Sequence, residues 1–211
     1  MSDERRIVTI LFADVVGSTA LGEAMDPEDL RALLSKYYAL AREVIESHGG
    51  TVEKFIGDAV MAIFGLPRAH GDDAERALSA TLELRTRLQA EAPLAAIALR
   101  FGLATGEVVV SRDRGGGDFL VTGDAVNLAA RLQQIAESWE ILCSERTVRA
   151  TSRHFDFEPP RQIQLRGKAQ EVRGFVLRSR RLTHTTQPLG RLRRSSARPS
   201  RRARALGVGE L

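Results

Sequence analysis

From Ile7 to Phe12 every residue is apolar or β-branched, and the run turns polar at Asp14. This pattern predicts a buried strand with a carboxylate at its C-terminal end. Gly17-Ser18-Thr19 breaks the strand and can start a helix, with Ser18 or Thr19 as its cap. Between residues 27 and 47, Leu30, Leu33, Leu34, Tyr37, Tyr38, Ala41, Val44 and Ile45 recur with the period of an amphipathic helix. Pro27 stands near its start and Gly49-Gly50 after its end. Two short apolar strands then flank Gly57-Asp58, a two-residue hairpin signal that puts Asp58 at the tip. A second helical pattern spans 72–91, beginning at Asp72 or Asp73 and stopped by Pro93. IALRFGLATGEVVVS predicts a strand, a turn near Gly106 and a second strand, and Arg114 to Gly117 reads as a flexible loop. A third helix is expected over 124–137 with Asp124 as its cap, and ILCS, RQIQL and VRGFVL read as later short strands.

The order strand, helix, hairpin, helix, strand describes an α/β (α+β) protein with a ferredoxin-like βαββαβ core and added strands and helices. That fold hosts many activities and decides none of them. After about Arg178 the periodic pattern vanishes. Residues 1–178 are expected to form one domain, and 179–211 a basic, disordered tail rich in Arg, Ser, Pro and Gly. From Arg178 onward there are ten Arg and one acidic residue, Glu210, a charge of +9 within a net +4, so residues 1–177 carry −5. Apolar residues make up 43% of the chain and charged residues 27%, ordinary for a globular protein. Cys143 is the only cysteine, which excludes an internal disulfide and an all-cysteine metal site and fits a cytoplasmic location. No signal peptide or transmembrane segment is expected.

Two carboxylates carry the candidate chemistry. In a ferredoxin-like sheet the first strand lies beside the hairpin, so Asp14 and Asp58 can converge at one sheet edge. Hard oxygen ligands with open positions suit Mg²⁺ or Mn²⁺ bound with a polyphosphate. Two such ions, about 3.5–4 Å apart, can activate a hydroxyl and stabilise a leaving oxygen. Taken singly, Asp14 reads as a helix cap and Asp58 as a turn residue; taken together with the motifs around them, they do not. The strand-to-helix turn also presents backbone N–H groups from Val15 to Thr19, a natural cradle for phosphate oxygens. It lacks the Gly-Lys-Ser/Thr ending of a Walker A loop.

ILFADVVGST, VEKFIGDAVMAIFG, LRFGLATGEVV, VTGDAVNLAARL and LRGKAQEVRGFVL occur in that order. Together, over about residues 5–178, they resemble the class III adenylate/guanylate cyclase catalytic domain of bacterial type. The resemblance implies a head-to-tail homodimer that turns ATP into 3′,5′-cyclic AMP and pyrophosphate with two divalent cations, Mg²⁺ or Mn²⁺. It implies Asp14, Val15 and Asp58 as the metal-binding positions, and Gly17, Ser18 and Thr19 as the triphosphate turn. Arg100 matches a phosphate-contacting arginine of the same chain. The partner chain would supply Lys54 to read adenine, Asn127 to orient the ribose, Arg131 to stabilise the transition state and Lys168 to grip the terminal phosphates. Asn127 and Arg131 are four apart on a helix and so face one way.

One position departs from the pattern. Where the family usually has Asp or Thr to recognise adenine, this chain has Leu120, which cannot hydrogen-bond a base. Lys54 points to ATP; Leu120 points to relaxed ATP/GTP choice or to a catalytically silent, nucleotide-binding module. The arginine-rich tail could attract phosphate backbones. It lacks interleaved aromatics and any nucleic-acid-binding motif, so no specific nucleic acid is expected, only a weak acidic partner.

Overall fold

The computed structural model describes residues 4–112, 119–164 and 171–181. Strand β1 (Glu4–Val15) leads through helices α1 (Ser18–Ala24) and α2 (Pro27–Ser47) to the hairpin of β2 (Gly50–Ile56) and β3 (Ala59–Phe64). Helix α3 (Asp73–Ala90) and a 3₁₀ turn (Leu94–Ala96) then return the chain to β4 (Leu99–Arg112). These four strands lie in the order β2-β3-β1-β4 with every neighbour antiparallel, the expected ferredoxin-like core. The remaining elements are β5 (Phe119–Thr122), α4 (Asp124–Ile135), β6 (Ile141–Ser144), α5 (Glu145–Thr151), β7 (Phe155–Phe157), β8 (Arg161–Ile163) and β9 (Val172–Arg180). Strand β6 joins β4 in parallel, and β9 and β7 extend the sheet beyond it. Among the described residues, no helix is long and apolar enough to cross a membrane.

The period of two along β1 sorts its side chains into two cores. Leu11, Ala13 and Val15 pack with Leu33, Tyr37 and Ile45 of α2 and Leu78 and Leu84 of α3. Val8, Ile10 and Phe12 pack on the opposite face with Ala125 and Ala129 of α4. Burying each of the larger side chains contributes about 1.5–3 kcal/mol before ordering costs. Helix α2 begins as its sequence dictates: the Asp26 side chain accepts from the Glu28 N–H at 2.9 Å, Pro27 opens the first turn, and Glu28 and Asp29 face the positive end of the helix dipole.

Several local expectations give way. No turn occurs at Gly106: β4 runs unbroken for 14 residues, and Gly106 faces α4, where an added Cβ would sit 2.8 Å from the Cβ of Ala125. The N-cap of α1 is Gly17, in a left-handed conformation (φ 69°), rather than Ser18 or Thr19. The cap of α4 is likewise Gly123 and not Asp124, which lies within the helix. Its Cβ would come within 2.9 Å of the Glu107 carbonyl, so β4 leaves no room for a side chain there. Helix α4 ends at Ile135, two residues earlier than its apolar pattern suggested. Helix α5 and strand β7 are too short, at seven and three residues, to show a period in sequence. The loop Arg114 to Gly117, Lys168 and the tail beyond Arg181 lie outside the described residues.

Candidate functional site

Asp14 is the penultimate residue of β1. The register of β1 with β3 pairs Phe12 with Met61 and Ala13 with Val60. Continued by two residues, it sets Asp14 and Val15 beside Ala59 and Asp58, at the start of the hairpin's second strand. Gly57, at φ 61°, makes the tight turn that carries Asp58.

On its other side β1 pairs with β4, and Asp14 is the register partner of Arg100. Cross-strand partners share a face, so the guanidinium meets the carboxylate. Arg100 donates to Oδ2 of Asp14 through Nε at 3.1 Å and Nη2 at 2.8 Å. Gln133, buried on α4, adds a third N–H to the same oxygen at 2.8 Å. Oδ1 of Asp14 takes no donor among the described residues. Asp58 is half-buried, and its Oδ2 is buried with no hydrogen-bond partner among the described residues. A buried acceptor without a donor is costly unless something else neutralises it.

Tyrosines 37 and 38 of α2 brace this edge. The buried Tyr37 hydroxyl donates to the Ala13 carbonyl at 3.5 Å, and the Tyr38 hydroxyl donates to the Gly57 carbonyl at the hairpin turn. Burial pushes the Tyr37 hydroxyl well above its usual pKa, and the negative fields of Tyr38, Asp14 and Asp58 push it further. Tyr38 is raised by partial burial and then by Asp58. Both carboxylates thus bear on the one buried tyrosine hydroxyl.

The fit to a divalent cation rests on the two free oxygens. Oδ1 of Asp14 and Oδ2 of Asp58 are hard acceptors that no N–H of the described residues occupies. Among the described residues no group of three or more His, Cys, Asp or Glu side chains gathers to hold a metal. Two carboxylates leave most of a coordination shell to backbone carbonyl, water or phosphate oxygens, the pattern that suits Mg²⁺ or Mn²⁺ with a polyphosphate. The turn expected to cradle phosphate offers fewer donors than expected. The Val16 N–H is taken by the Ala98 carbonyl at 2.8 Å, so the donors left at this turn are those of the first turn of α1, which no side chain among the described residues caps.

Other expected residues stand apart from the carboxylates. Lys54 is exposed on β2, with Nζ 4.0 Å from Glu53. Asn127 is exposed on α4. Arg131, one turn later, holds a buried Nη1 with no hydrogen-bond partner. None of the three bonds to Asp14 or Asp58 among the described residues. Leu120 lies in β5, opposite Ser111 of β4, with Thr122 two residues on and exposed. Sequence reasoning missed Gln133 and the hydroxyl roles of Tyr37 and Tyr38. The tyrosines were visible only as apolar positions of a helix, and Gln133 carried no motif signal.

The family is shown by comparison with known proteins. The model of the adenylate and guanylate cyclase catalytic domain matches residues 2–179, and the chain belongs to this family. A crystal structure of the adenylyl cyclase CyaB from P. aeruginosa is 28% identical, covers 86% of this chain and 98% of its own, and superposes with a TM-score of 0.79. The guanylyl cyclase Cya2 is also 28% identical, with 88% and 98% covered and a TM-score of 0.81. An uncharacterized protein of Mycobacterium bovis is 35% identical over 181 residues, which are 82% of this chain and 33% of that protein. The chain thus spans about a third of the length of the first curated relatives it matches.

Proposed function

We propose that this domain is an adenylate cyclase that converts ATP to 3′,5′-cyclic AMP and pyrophosphate at sites shared between two copies arranged head to tail. The observation that carries the proposal is the meeting of Asp14 and Asp58 at one sheet edge, each with a carboxylate oxygen that takes no N–H among the described residues, while Asn127 and Arg131 sit on α4 with no bond to either among those residues. Such a chain holds two separated halves of a site, and a second copy can bring the missing half to each.

Asp14 and Asp58, with Val15 at the end of β1, would hold two divalent cations. Bound there, such ions supply Lewis-acid activation of a hydroxyl and charge neutralisation on phosphates. Gly17, Ser18 and Thr19 turn backbone N–H groups toward the triphosphate. Arg100 adds positive charge beside Asp14, and Lys168 of the partner subunit would take the terminal phosphates. The partner's Asn127 orients the ribose so that its 3′-oxygen lies in line with the α-phosphorus. The partner's Arg131 offsets negative charge as that oxygen bonds to the α-phosphorus and the bond to the pyrophosphate oxygen breaks. The 3′-hydroxyl proton leaves to solvent, and pyrophosphate departs with the bonding electrons.

Base choice has a second reading. The partner's Lys54 favours adenine, whereas Leu120 offers the base no hydrogen bond, and the adenylyl and guanylyl cyclases compared above are equally similar to the chain. Relaxed ATP/GTP selection follows from the loss of one polar contact to the base. Product analysis with purified protein, Mn²⁺ or Mg²⁺, and ATP or GTP in parallel tests both readings. Cyclic AMP that disappears in Asp58→Ala supports the proposal, and comparable cyclic GMP means that Leu120 has loosened the pocket. No cyclic product from a demonstrated dimer makes the domain a silent nucleotide-binding module.

A further inference from the structure

Three N–H groups converge on a single oxygen of Asp14, and they come from two layers of the fold. Arg100 reaches Oδ2 from the neighbouring strand of the same sheet. Gln133 reaches it from the helix packed above, at 2.8 Å, with only 6% of the residue exposed. The Gln133 backbone is itself held in place. A Cβ added at Gly102 of β4 would lie 2.3 Å from the Gln133 nitrogen and 2.8 Å from its Cα, so strand and helix touch there with no side chain between them. The reach of the amide to Asp14 is therefore set by a backbone contact and not by a flexible surface.

We infer that Gln133 is a positioning residue of the metal site: from the helix that carries Asn127 and Arg131, its side-chain amide pins Oδ2 of Asp14 and leaves Oδ1 to the cation. The inference rests on the assignment of Asp14 and Asp58 as metal ligands made above. Chemistry favours an amide for this task. Arg100 already places a full positive charge beside the carboxylate, and a second cationic donor would cancel the negative charge that attracts the ion. A neutral N–H fixes the carboxylate's rotation and leaves its charge nearly intact.

The placement on α4 adds a consequence. At about 100° per residue, Gln133 points roughly 160° away from Arg131 and roughly 120° away from Asn127. One side of the helix thus serves the chain's own Asp14, and Asn127 and the partly buried Arg131 lie on another side, for the site completed by the second copy. A movement of α4 that repositions Arg131 also moves the amide that orients Asp14, so the two sites of a dimer are mechanically joined through one helix.

Gln133→Met keeps the bulk and removes the donor. The full chain is titrated with Mn²⁺ alone, and free ion is counted by electron paramagnetic resonance. In a separate assay the Mn²⁺ half-saturation and the KM for ATP are measured. Losing an outer partner of a metal ligand lowers metal affinity roughly 10-fold or more. Q133M is expected to show that loss, a matching rise in Mn²⁺ half-saturation, and an unchanged KM for ATP at saturating Mn²⁺. Thermal melting confirms the fold, and Gln133→Leu takes the place of Q133M if the latter does not fold. A folded variant with the Mn²⁺ affinity of the unsubstituted chain overturns the inference, as does a loss confined to Gln133→Ala, which would mark a packing role. An unsubstituted chain that binds no Mn²⁺ overturns it before any variant is compared. A chain that binds Mn²⁺ but forms no cyclic nucleotide sinks the adenylate cyclase proposal instead, and the Mn²⁺ titrations alone then decide the role of Gln133.

Discussion

A missing methyl group decides how closely α4 approaches the sheet. At Gly102 a Cβ would lie 2.2 Å from the Ala129 carbonyl oxygen and 2.3 Å from the Gln133 nitrogen, both backbone atoms that cannot swing aside. Gly102→Ala must therefore push the helix off the strand. Ordinary overpacking costs about 1–3 kcal/mol, and this substitution is expected at or beyond the upper end. A fall in the urea midpoint at constant slope would show it, with Mn²⁺ affinity lowered as well because Gln133 is displaced. Gly22 is the contrasting control: an added Cβ meets only Leu30 Cδ2, at 3.6 Å, in ordinary contact. Gly22→Ala, inside α1, is expected to leave stability unchanged or raise it by about 0.4–1 kcal/mol. Sequence does not show what Gly102 meets. A glycine inside a strand pattern signals a turn, a bulge or a close backbone approach alike, and the neighbours that decide between them, Ala129 and Gln133, are 27 and 31 residues away along the chain.

Helix α2 shows how one element both builds the core and holds the site. Its apolar stripe buries Leu33, Leu40, Val44 and Ile45, and the same stripe delivers Tyr37 and Tyr38 to the edge where Asp14 and Asp58 lie. These are the only two tyrosines of the chain, so tyrosinate absorbance reports on this edge alone. Both are raised in the folded protein. The native protein is thus expected to ionise at higher pH than the denatured chain, whose tyrosines titrate near about pH 10. The sign follows from linkage. Their contribution to stability is fully present below the unfolded pKa and is lost as pH rises through the folded values. Denaturation at a series of alkaline pH values measures that loss. Asp58→Asn should bring the Tyr38 midpoint down, since the Asp58 charge is one of its two causes. An unchanged midpoint would show that the carboxylate is not beside the ring. The helix was legible because 21 residues give six turns of one period; α5, at seven, gives two.

At the scale of the whole molecule, the chain's own architecture separates the groups that the proposed reaction needs. Asp14, Asp58 and Arg100 gather at one end of the β2-β3-β1-β4 core. Asn127 and Arg131 lie on α4 and, among the described residues, bond to neither carboxylate. Head-to-tail pairing predicts complementation between two inactive variants. Asp58→Ala and Arg131→Ala are each expected to lose cyclase activity, whereas mixing and re-equilibrating them should restore roughly a quarter of it, because half the dimers are mixed and each carries one intact site. Confirmed mixed dimers without activity would sink the shared site. The arginine-rich segment beyond Arg181 lies outside the described residues, and strand β9 runs to Arg180, two residues past the expected end of the domain.

Sequence by itself determined the ferredoxin-like order of the first elements, the long amphipathic helices, the hairpin that carries Asp58 and, through five motifs in series, the family. These are local or periodic properties, set by side-chain alternation, turn chemistry and residue identity within short windows. Tertiary structure alone decided what depends on distant neighbours. It turned Gly106 from a turn into a packing position, since α4 fills the space beside it. It gave Arg100 to Asp14, because the β1–β4 register makes them partners 86 residues apart in the chain. It spent the Val16 N–H on Ala98, and it brought Gln133 down from another layer onto the same carboxylate. Register and layer packing select which polar groups meet, and no window of sequence contains both members of those pairs.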